Sequence, residues 1–210
     1  MEFVEFPKMA RLTRECVITE KIDGTNAQVF IAQRCSCGEG GGCSNCPNPR
    51  LLIAERDGLV MYAGSRTQYI TPERDNFGFA RWVAEQADAL FGLGEGRHFG
   101  EWWGSGIQRR YGLTEKRFSL FNTLRWADER DREKYPQDRP ACCHVVPVLY
   151  RGLFGPKHDE NYIAKLQHEG SVAAPGFMKP EGIVIYHVAA GVAFKKTIEH
   201  DDEPKSKRAA

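Results

Sequence analysis

Runs of apolar and β-branched residues along the chain predict a protein built largely from short strands. Residues 17–21 and 27–32 form two such runs, and the turn dipeptide Asp23-Gly24 separates them. Residues 51–55 and 59–63 predict a hairpin closed at Asp57-Gly58, which is a strong two-residue turn signal. Further strands are predicted, in chain order, at residues 99–103, 118–121, 145–150, 182–187 and 192–198.

Two segments instead carry apolar residues at helical spacing. The stronger runs from Asn76 to Phe91 and is followed by Gly92, a residue typical of a helix C-terminus. The second spans residues 160–169 and ends before Gly170. Many short strands, hairpin turns and two helices indicate an α+β domain of antiparallel sheets, because the regular strand-helix alternation of a doubly wound fold is not seen.

The composition is that of an ordinary globular protein. Of 210 residues, 41% are hydrophobic and 27% charged, which argues against wholesale disorder. The formal net charge is +1, so any polyanion must be bound by a local patch. No apolar run approaches the roughly 20 residues of a membrane helix, and no signal peptide is recognised. Because seven cysteines are an odd number, no disulfide framework is predicted, and we expect a reducing cytoplasmic location.

A lysine lies at the junction of the first two predicted strands, in Lys21-Ile22-Asp23-Gly24. Such a lysine can act as a nucleophile if its surroundings favour the neutral amine, because only that form attacks. The glycine lets the chain turn sharply and approach a ligand closely. Taken alone the motif is weak, since a lysine before Asp-Gly is usually a charged turn. The rest of the chain therefore decides how the motif is interpreted.

The segment Glu20-Lys21-Ile22-Asp23-Gly24-Thr25-Asn26 resembles the nucleotidyl-acceptor motif of the covalent nucleotidyltransferases, namely DNA ligases, RNA ligases and mRNA capping enzymes. The other motifs of that superfamily follow in the right order. They are Gly64-Ser65-Arg66, the acidic motif from Phe99 to Gln108, the aromatic strand Phe118-Ser119-Leu120-Phe121, a second acidic motif from Glu181 to Ile185, and Phe194-Lys195-Lys196. The form of the first acidic motif is similar to that of ATP-dependent RNA ligases.

This resemblance implies a set of site residues. The implied catalytic residues are Lys21 as nucleophile, Glu181 near the metal ion and the lysine, and Lys195 as a cation for the α-phosphate. The implied nucleotide contacts are Glu20 at the base edge, Glu101 at the ribose, Phe121 on adenine and Arg66 on a phosphate or the ribose. Ile22, Asp23, Gly24, Asn26 and Lys196 complete the implied nucleotide-binding set.

Several of these residues also have simpler interpretations. Phe121 is consistent with core packing, Glu20, Glu101 and Arg66 with surface charge, and Lys195 with an exposed strand residue. In the family, the last motif usually holds lysines at alternate positions, which share one face of a strand. Here Lys195 and Lys196 are adjacent, so they are predicted to face opposite ways, with Thr197 on the side of Lys195. We therefore favour Lys195 as the catalytic cation.

The implied fold is a nucleotidyltransferase (adenylation) domain of antiparallel sheets with flanking helices and a nucleotide cleft between the sheets. It would span residues 1–200, with a cysteine-rich insert at 35–46 and a charged tail at 201–210. The implied activity is ATP-dependent sealing of RNA 5′-phosphate and 3′-hydroxyl ends through lysyl-AMP, with Mg²⁺ or Mn²⁺, as in RNA repair. The alternatives are a minimal DNA ligase, a GTP-using capping-type enzyme and an inactive zinc-bearing RNA-binding module.

Four cysteines are concentrated in the glycine-rich insert between two predicted strands: Cys35, Cys37, Cys43 and Cys46. Four thiolates can surround Zn²⁺ tetrahedrally, so a structural zinc site is the favoured interpretation. Reduced cysteines in a loop, or a redox pair, are the alternatives. A further pair, Cys142-Cys143, precedes a predicted strand and lacks a second pair, so it is interpreted as core.

Basic residues after the acidic motif offer a local cationic strip for a phosphate backbone. They are Arg109-Arg110 and Lys116-Arg117. Trp102, Trp103 and Tyr111 lie nearby in sequence, and stacking on such rings supports single-strand binding. An ordinary solvated charged loop is the alternative.

Overall fold

The computed structural model describes residues 2–35, 48–126 and 139–202 of the chain. Within these ranges the strands are β1 (Glu15–Lys21), β2 (Thr25–Gln33), β3 (Ala54–Arg56), β4 (Leu59–Gly64), β5 (Tyr69–Ile70), β6 (Gly96–Gly104), β7 (Lys116–Leu120), β8 (Cys143–Val145), β9 (Val148–Leu153), β10 (Gly182–His187) and β11 (Val192–Thr197). The α-helices are α1 (Phe79–Glu85), α2 (Ala87–Leu90) and α3 (His158–Glu169). Three cysteines of the predicted insert, Cys37, Cys43 and Cys46, lie outside the described residues.

The chain divides into two compact units, and the first consists of Met1–Ile22 with Pro147–Ala210. Its antiparallel sheet has the strand order β11-β10-β1-β9. Helix α3 covers one face of this sheet, and their contact forms the core of the unit. That core contains Cys16, Ile18, Leu166, Ile183 and Ile185. Because successive strand residues alternate between faces, the residues between these positions lie on the other face of the sheet.

The second unit is the continuous segment Asp23–Val146. Its seven-stranded sheet has the order β3-β4-β2-β6-β7-β8, and β5 pairs with β4. All neighbouring strands are antiparallel except β7 and β8, which run parallel. The core of this unit joins one sheet face to α1 and α2 and includes Val29, Ile31, Met61, Phe79, Leu90 and Phe118. The chain thus passes from the first unit to the second after Ile22 and returns after Val146.

The α+β fold of antiparallel sheets with few helices confirms the fold class predicted from the sequence. The predicted helix over residues 76–91 is shorter and broken, because the backbone of Gln86 (φ −101°, ψ 11°) interrupts α1 before α2. The predicted strand over residues 145–150 is two strands in different sheets. Pro147 lies at the break, where it has no N–H to donate to a continuing ladder. Among the described helices, none is long and apolar enough to cross a membrane.

Candidate functional site

The strongest candidate nucleophile, Lys21, lies at the end of β1 in the first unit. Its Nζ donates to Oε2 of Glu181 at 2.6 Å. Glu181 immediately precedes β10, and the antiparallel register sets Lys21 opposite Gly182. The side chain of Glu181 is 3% exposed and that of Lys21 is 20% exposed, so the carboxylate is removed from water while part of the lysine side chain stays accessible. The two residues are 160 positions apart in sequence, and the β1–β10 ladder brings them together.

The two adjacent lysines of β11 lie on opposite faces of the first unit's sheet. Lys196 is paired with Ile183, a core residue under α3, and its Nζ donates to Oδ2 of Asp159 in that helix at 2.7 Å. Lys195 therefore lies on the face away from α3. By the same alternation through β10 and β1, Lys21 is also on that face. The sheet thus groups Lys21, Glu181 and Lys195, and it separates Lys196 from them.

Gly182 fits where no other residue would, between β1 and β11. A Cβ built there would come within 2.2 Å of the Lys196 carbonyl oxygen and 2.8 Å of the Thr197 Cα. Its φ of 154° is also rarely adopted by other residues. This glycine allows β11 to pack closely against β10 at the level of Lys21.

We expect Gly182→Ala to lower the free energy of unfolding by about 3 kcal/mol, through overpacking against backbone atoms and an unfavourable φ. Urea unfolding measures the loss. The matched control is Gly176→Ala, because Gly176 also has a positive φ (90°) but has no atoms within 4 Å of an added Cβ. The control should lose only about 1 kcal/mol. Equal losses in the two variants would contradict the steric argument.

The side chain of Glu20 lies on the face of β1 that α3 covers, whereas that of Lys21 lies on the opposite face. Its Oε1 accepts from the Ser171 hydroxyl at 2.5 Å, and its Oε2 accepts from the backbone N–H groups of Val172 at 2.7 Å and Ala173 at 2.8 Å. Glu20 is buried, so it is not a surface acid. Burial raises the pKa of the Glu20 carboxyl, although its hydrogen bonds to Ser171, Ala173 and Val172 lower it in part. The structure thus joins Glu20 to the loop after α3.

The raised pKa of Glu20 predicts a pH dependence of stability. As pH rises above the glutamate value of about 4.3 in unfolded chains, the unfolded state loses this proton first. Stability should therefore fall between that pH and the higher pKa of the folded protein. We expect Glu20→Gln to remove this part of the decline, which unfolding midpoints in urea from pH 4 to 7 would reveal. Parallel curves for the two proteins would contradict the prediction.

In the second unit, the side chain of Glu101 on β6 binds two residues of the lysine motif, Gly24 and Asn26. Its Oε1 accepts from the backbone N–H of Gly24, and its Oε2 accepts from Nδ2 of Asn26, both at 3.0 Å. Gly24 is closely packed, because an added Cβ would be 2.4 Å from the Trp102 carbonyl oxygen. Glu101 is buried, so it is not a surface acid, and its hydrogen bond to Gly24 holds the turn after Lys21.

Asp23 has two partners that the sequence did not predict. Its backbone N–H donates to the hydroxyl of Tyr111 at 2.8 Å, and its Oδ2 accepts from Nε of Arg109 at 3.1 Å. Tyr111 is buried with its ring edge against Trp103. The sequence alone indicates Arg109 and Tyr111 only as candidates for contacting RNA. Nothing in their spacing from Asp23, 86 and 88 residues away, indicated that they would hold this aspartate.

Phe121 directly follows β7 and is 41% exposed, so it is not a core residue. Its backbone N–H donates to the carbonyl oxygen of Phe99 at 2.9 Å, and Phe99 is 51% exposed. Strand alternation puts both rings on the sheet face that carries Glu101. Phe99 was part of a recognised motif but was not singled out for a role. Arg66 is exposed just beyond β4, and Ile22, by contrast, is buried.

The expected RNA-stacking role of Trp102, Trp103 and Tyr111 is wrong. All three are at most 2% exposed, because their side chains pack inside the second unit. The neighbouring basic residues also contact protein groups. Arg109 binds Asp23, Lys116 donates to the carbonyl oxygen of Phe77 at 2.8 Å, and Arg117 pairs with Glu115 at 2.6 Å.

The metal-ligating side chains in the part of the chain that the structure describes are not gathered into a metal site. No group of three or more His, Cys, Asp or Glu residues there could hold a metal ion. Of the four cysteines in the predicted zinc site, Cys35 is described and is exposed after β2.

Comparison with known proteins gives a family and a fold for this chain. Residues 14–197 match the family described as RNA ligase. No curated protein matches the sequence. Among solved structures, Naegleria gruberi RNA ligase with pyrophosphate is 19% identical, with a TM-score of 0.53 over 91% of this chain and 53% of that one. Variants of the same ligase with ATP and Mn, and with AMP and Mn, are each 18% identical with TM-scores of 0.54.

These two variants match over 91% and 89% of this chain, and over 53% and 50% of their own chains. The chain therefore spans about half the length of the Naegleria ligase structures that it matches. At this level of identity the likeness shows a common fold.

Proposed function

The chain belongs to the RNA ligase family, and from that premise we propose that it is an ATP-dependent RNA ligase that works through a lysyl-AMP intermediate. The observation that carries the proposal is the contact between Lys21 and Glu181. A lysine amine at 2.6 Å from a buried carboxylate, with Lys195 on the same sheet face, brings together a candidate nucleophile, a proton acceptor and a second cation. The residues of this group all belong to the first unit.

In the proposed first step, Nζ of Lys21 attacks the α-phosphorus of ATP. A phosphorus–nitrogen bond forms, the bond to the bridging oxygen breaks, and pyrophosphate leaves. The amine must lose a proton before or during attack, and the carboxylate of Glu181 is the nearest acceptor. Lys195 would stabilise the negative charge that develops on the α-phosphate, because catalysis of phosphoryl transfer is mostly positioning and electrostatics.

The nucleotide would be held by exposed or hydrogen-bonding groups already described. Phe121 would stack on adenine, and Glu101 would accept hydrogen bonds from the ribose hydroxyls, because carboxylate oxygens are acceptors. Arg66 would bind a phosphate, for which its planar guanidinium is suited. Asp23 would act indirectly by fixing the turn.

For Glu20, Ile22 and Lys196 we propose positioning roles, since Glu20 and Ile22 are buried and Lys196 is bound to Asp159 of α3. Glu20 would hold β1 against the loop after α3. Lys196 would hold β11 against that helix through Asp159, and Ile22, the residue after Lys21, would anchor this end of β1 by its burial.

The side chains near Lys21 offer few oxygen ligands for Mg²⁺ or Mn²⁺. Glu181 offers a carboxylate, whereas Asp23 is engaged by Arg109. One or two carboxylates with substrate phosphates and water are an ordinary set for Mg²⁺. Bound there, the ion would neutralise charge on the triphosphate.

By family membership, the AMP would then pass to an RNA 5′-phosphate, and a 3′-hydroxyl would displace it to seal the strand. RNA as the substrate, and a cytoplasmic location, remain predictions from the sequence. A single nucleotidyltransferase domain over residues 1–200 is also a prediction from the sequence.

The proposal is tested by mass spectrometry of the protein after incubation with ATP and Mg²⁺. We expect one added AMP on the peptide that contains Lys21. Parallel incubations with GTP test the capping-type alternative. Incubations with nicked RNA and nicked DNA duplexes test which nucleic acid is sealed. Binding of RNA with no nucleotide added to the protein would overturn the proposal in favour of an inactive RNA-binding module.

We also propose that Cys35, Cys37, Cys43 and Cys46 bind one structural Zn²⁺. Native mass spectrometry should show one zinc ion per chain, and Cys43→Ser should remove it because three thiolates hold the ion more weakly. The matched control is Cys16→Ser, since Cys16 is buried in the first unit's core. Retention of zinc by Cys43→Ser, or its loss from Cys16→Ser, would contradict this assignment.

A further inference from the structure

Arg97 of β6, in the second unit, is held in place by uncharged groups. Its Nη1 donates to Oε1 of Gln28 at 3.2 Å and to the hydroxyl of Tyr69 at 3.1 Å. The central carbon of its guanidinium lies 4.1 Å from the ring centre of Phe30, a distance typical of a cation–π contact. Within the described ranges of the chain, the contacts of Arg97 include no carboxylate, so its charge is not neutralised there.

Other exposed arginines of the same unit bind acids. Arg34 pairs with Glu55 at 2.5 Å. Arg81 pairs with Asp75 at 3.3 Å. Arg97 is also exposed, but its hydrogen bonds to protein groups use Nη1, so Nε and Nη2 are available on a planar fork that suits a phosphate. Because the guanidinium is already fixed, less conformational entropy is lost when it binds an anion.

The position of Arg97 on its strand relates it to the residues proposed for ATP. Arg97, Phe99 and Glu101 form one row along β6, because alternate residues of a strand share a face. Successive members of such a row are about 6.8 Å apart. The exposed ring of Phe99 lies between the other two, and its cross-strand neighbour is Phe121. The row thus continues past the residues proposed for the ribose and adenine with one ring and one cation.

We propose that Phe99 and Arg97 bind one unpaired nucleotide near the end of an RNA strand. The base stacks on the ring of Phe99, and a phosphate accepts hydrogen bonds from the guanidinium of Arg97. This assignment rests on the proposed function, which requires an RNA end beside the bound nucleotide. Surfaces that bind single strands combine these two groups, a ring for the base and a cation for the backbone. In a chain of net charge +1, a polyanion needs such a local cation.

The salt dependence of RNA binding distinguishes the two roles. Arg97→Gln should weaken the binding of single-stranded RNA at least about tenfold, because a charged hydrogen bond is lost. It should also reduce the slope of log affinity against log salt concentration by about 0.7, the value for one phosphate contact on a single strand. Phe99→Leu should weaken binding by about five- to a hundredfold with an unchanged slope, because stacking releases no counterions.

The test is fluorescence anisotropy of a labelled single-stranded oligoribonucleotide with the whole protein, without ATP, at a series of salt concentrations. Arg56→Gln is the matched control. Arg56 is also exposed, lies 4.7 Å from the ring centre of Phe91 and donates to the carbonyl oxygen of Asp88 at 3.0 Å. These partners belong to α2 and the residue after it, so Arg56 lies on the sheet face that the helices cover. Its substitution should change neither the affinity nor the slope.

Transfer of AMP to the wild-type protein is measured separately, so that two failures can be told apart. If AMP is transferred but Arg97→Gln binds RNA like the wild type, this inference is wrong and the proposed function stands. If no AMP is transferred although RNA binding depends on Arg97, the proposed function is wrong instead. Weaker binding of ATP by Arg97→Gln with unchanged binding of RNA would assign Arg97 to the nucleotide and overturn the inference. Equal slopes for Arg97→Gln and Arg56→Gln would also overturn it.

Discussion

Replacing Lys21 is expected to abolish the transfer of AMP to the protein, lowering it by at least about a thousandfold. No other group can substitute, because the reaction needs an amine lone pair at the α-phosphorus. Lys21→Arg is the more informative variant. It keeps a positive charge beside the buried Glu181, but a guanidinium is never deprotonated in proteins. Label from radioactive ATP retained on the protein, followed by peptide mapping, measures the effect.

Lys21→Ala complements this variant but should also destabilise the fold. It removes the cation that lies 2.6 Å from the buried Glu181, and breaking a buried pair in this way costs about 3–5 kcal/mol when the carboxylate stays charged. Lys165→Ala is the matched control, because Lys165 is exposed on α3 with only a 3.9 Å pair to Glu169. It should label like the wild type. Wild-type labelling of a folded Lys21→Arg protein would show that another residue is the nucleophile.

The second large effect is expected from Lys195, and its neighbour provides the control. Lys195→Ala should slow AMP transfer by about a hundred- to a thousandfold, the range for loss of one group that stabilises transition-state charge. Lys196→Ala should slow it by less than about tenfold, because Lys196 lies on the other face of the sheet. Single-turnover rates at saturating ATP distinguish the two.

Stability measurements should give the reverse order. Lys196→Ala removes the ion pair with Asp159, which is about one-third exposed on both sides and is therefore worth at most about 1 kcal/mol. Lys195 is exposed, so its removal should leave the urea midpoint unchanged. If Lys196→Ala were instead the variant that loses activity, Lys196 and not Lys195 would be the phosphate-binding cation.

Local patterns predicted much of the fold because the forces that define strands act over a few residues. The run at residues 17–21 became β1, and the Asp57-Gly58 turn closes β3 onto β4. Strand alternation was sufficient to predict that Lys195 and Lys196 face opposite ways. Which of them shares a face with Lys21 depended on the register through β10, which only the structure supplies.

The sequence could not predict the partners of the buried acids. Glu20 binds residues 171 to 173, which follow it by 151 to 153 positions. Asp23 binds Arg109 and Tyr111. Such pairs depend on strand order and loop path, not on local propensity. For the same reason, Glu101 was compatible with a surface acid until its two hydrogen bonds were seen.

The path of the chain through its two units also has a consequence for synthesis on the ribosome. Both neighbours of β1 in its sheet, β9 and β10, begin after residue 147. At about 5–20 residues per second, β1 waits several seconds with its apolar side chains unpaired while more than a hundred later residues emerge. The second unit is complete by Val146. We therefore expect the second unit to fold first. Strand β1, although it is synthesised first, would then be among the last strands to pair in its sheet.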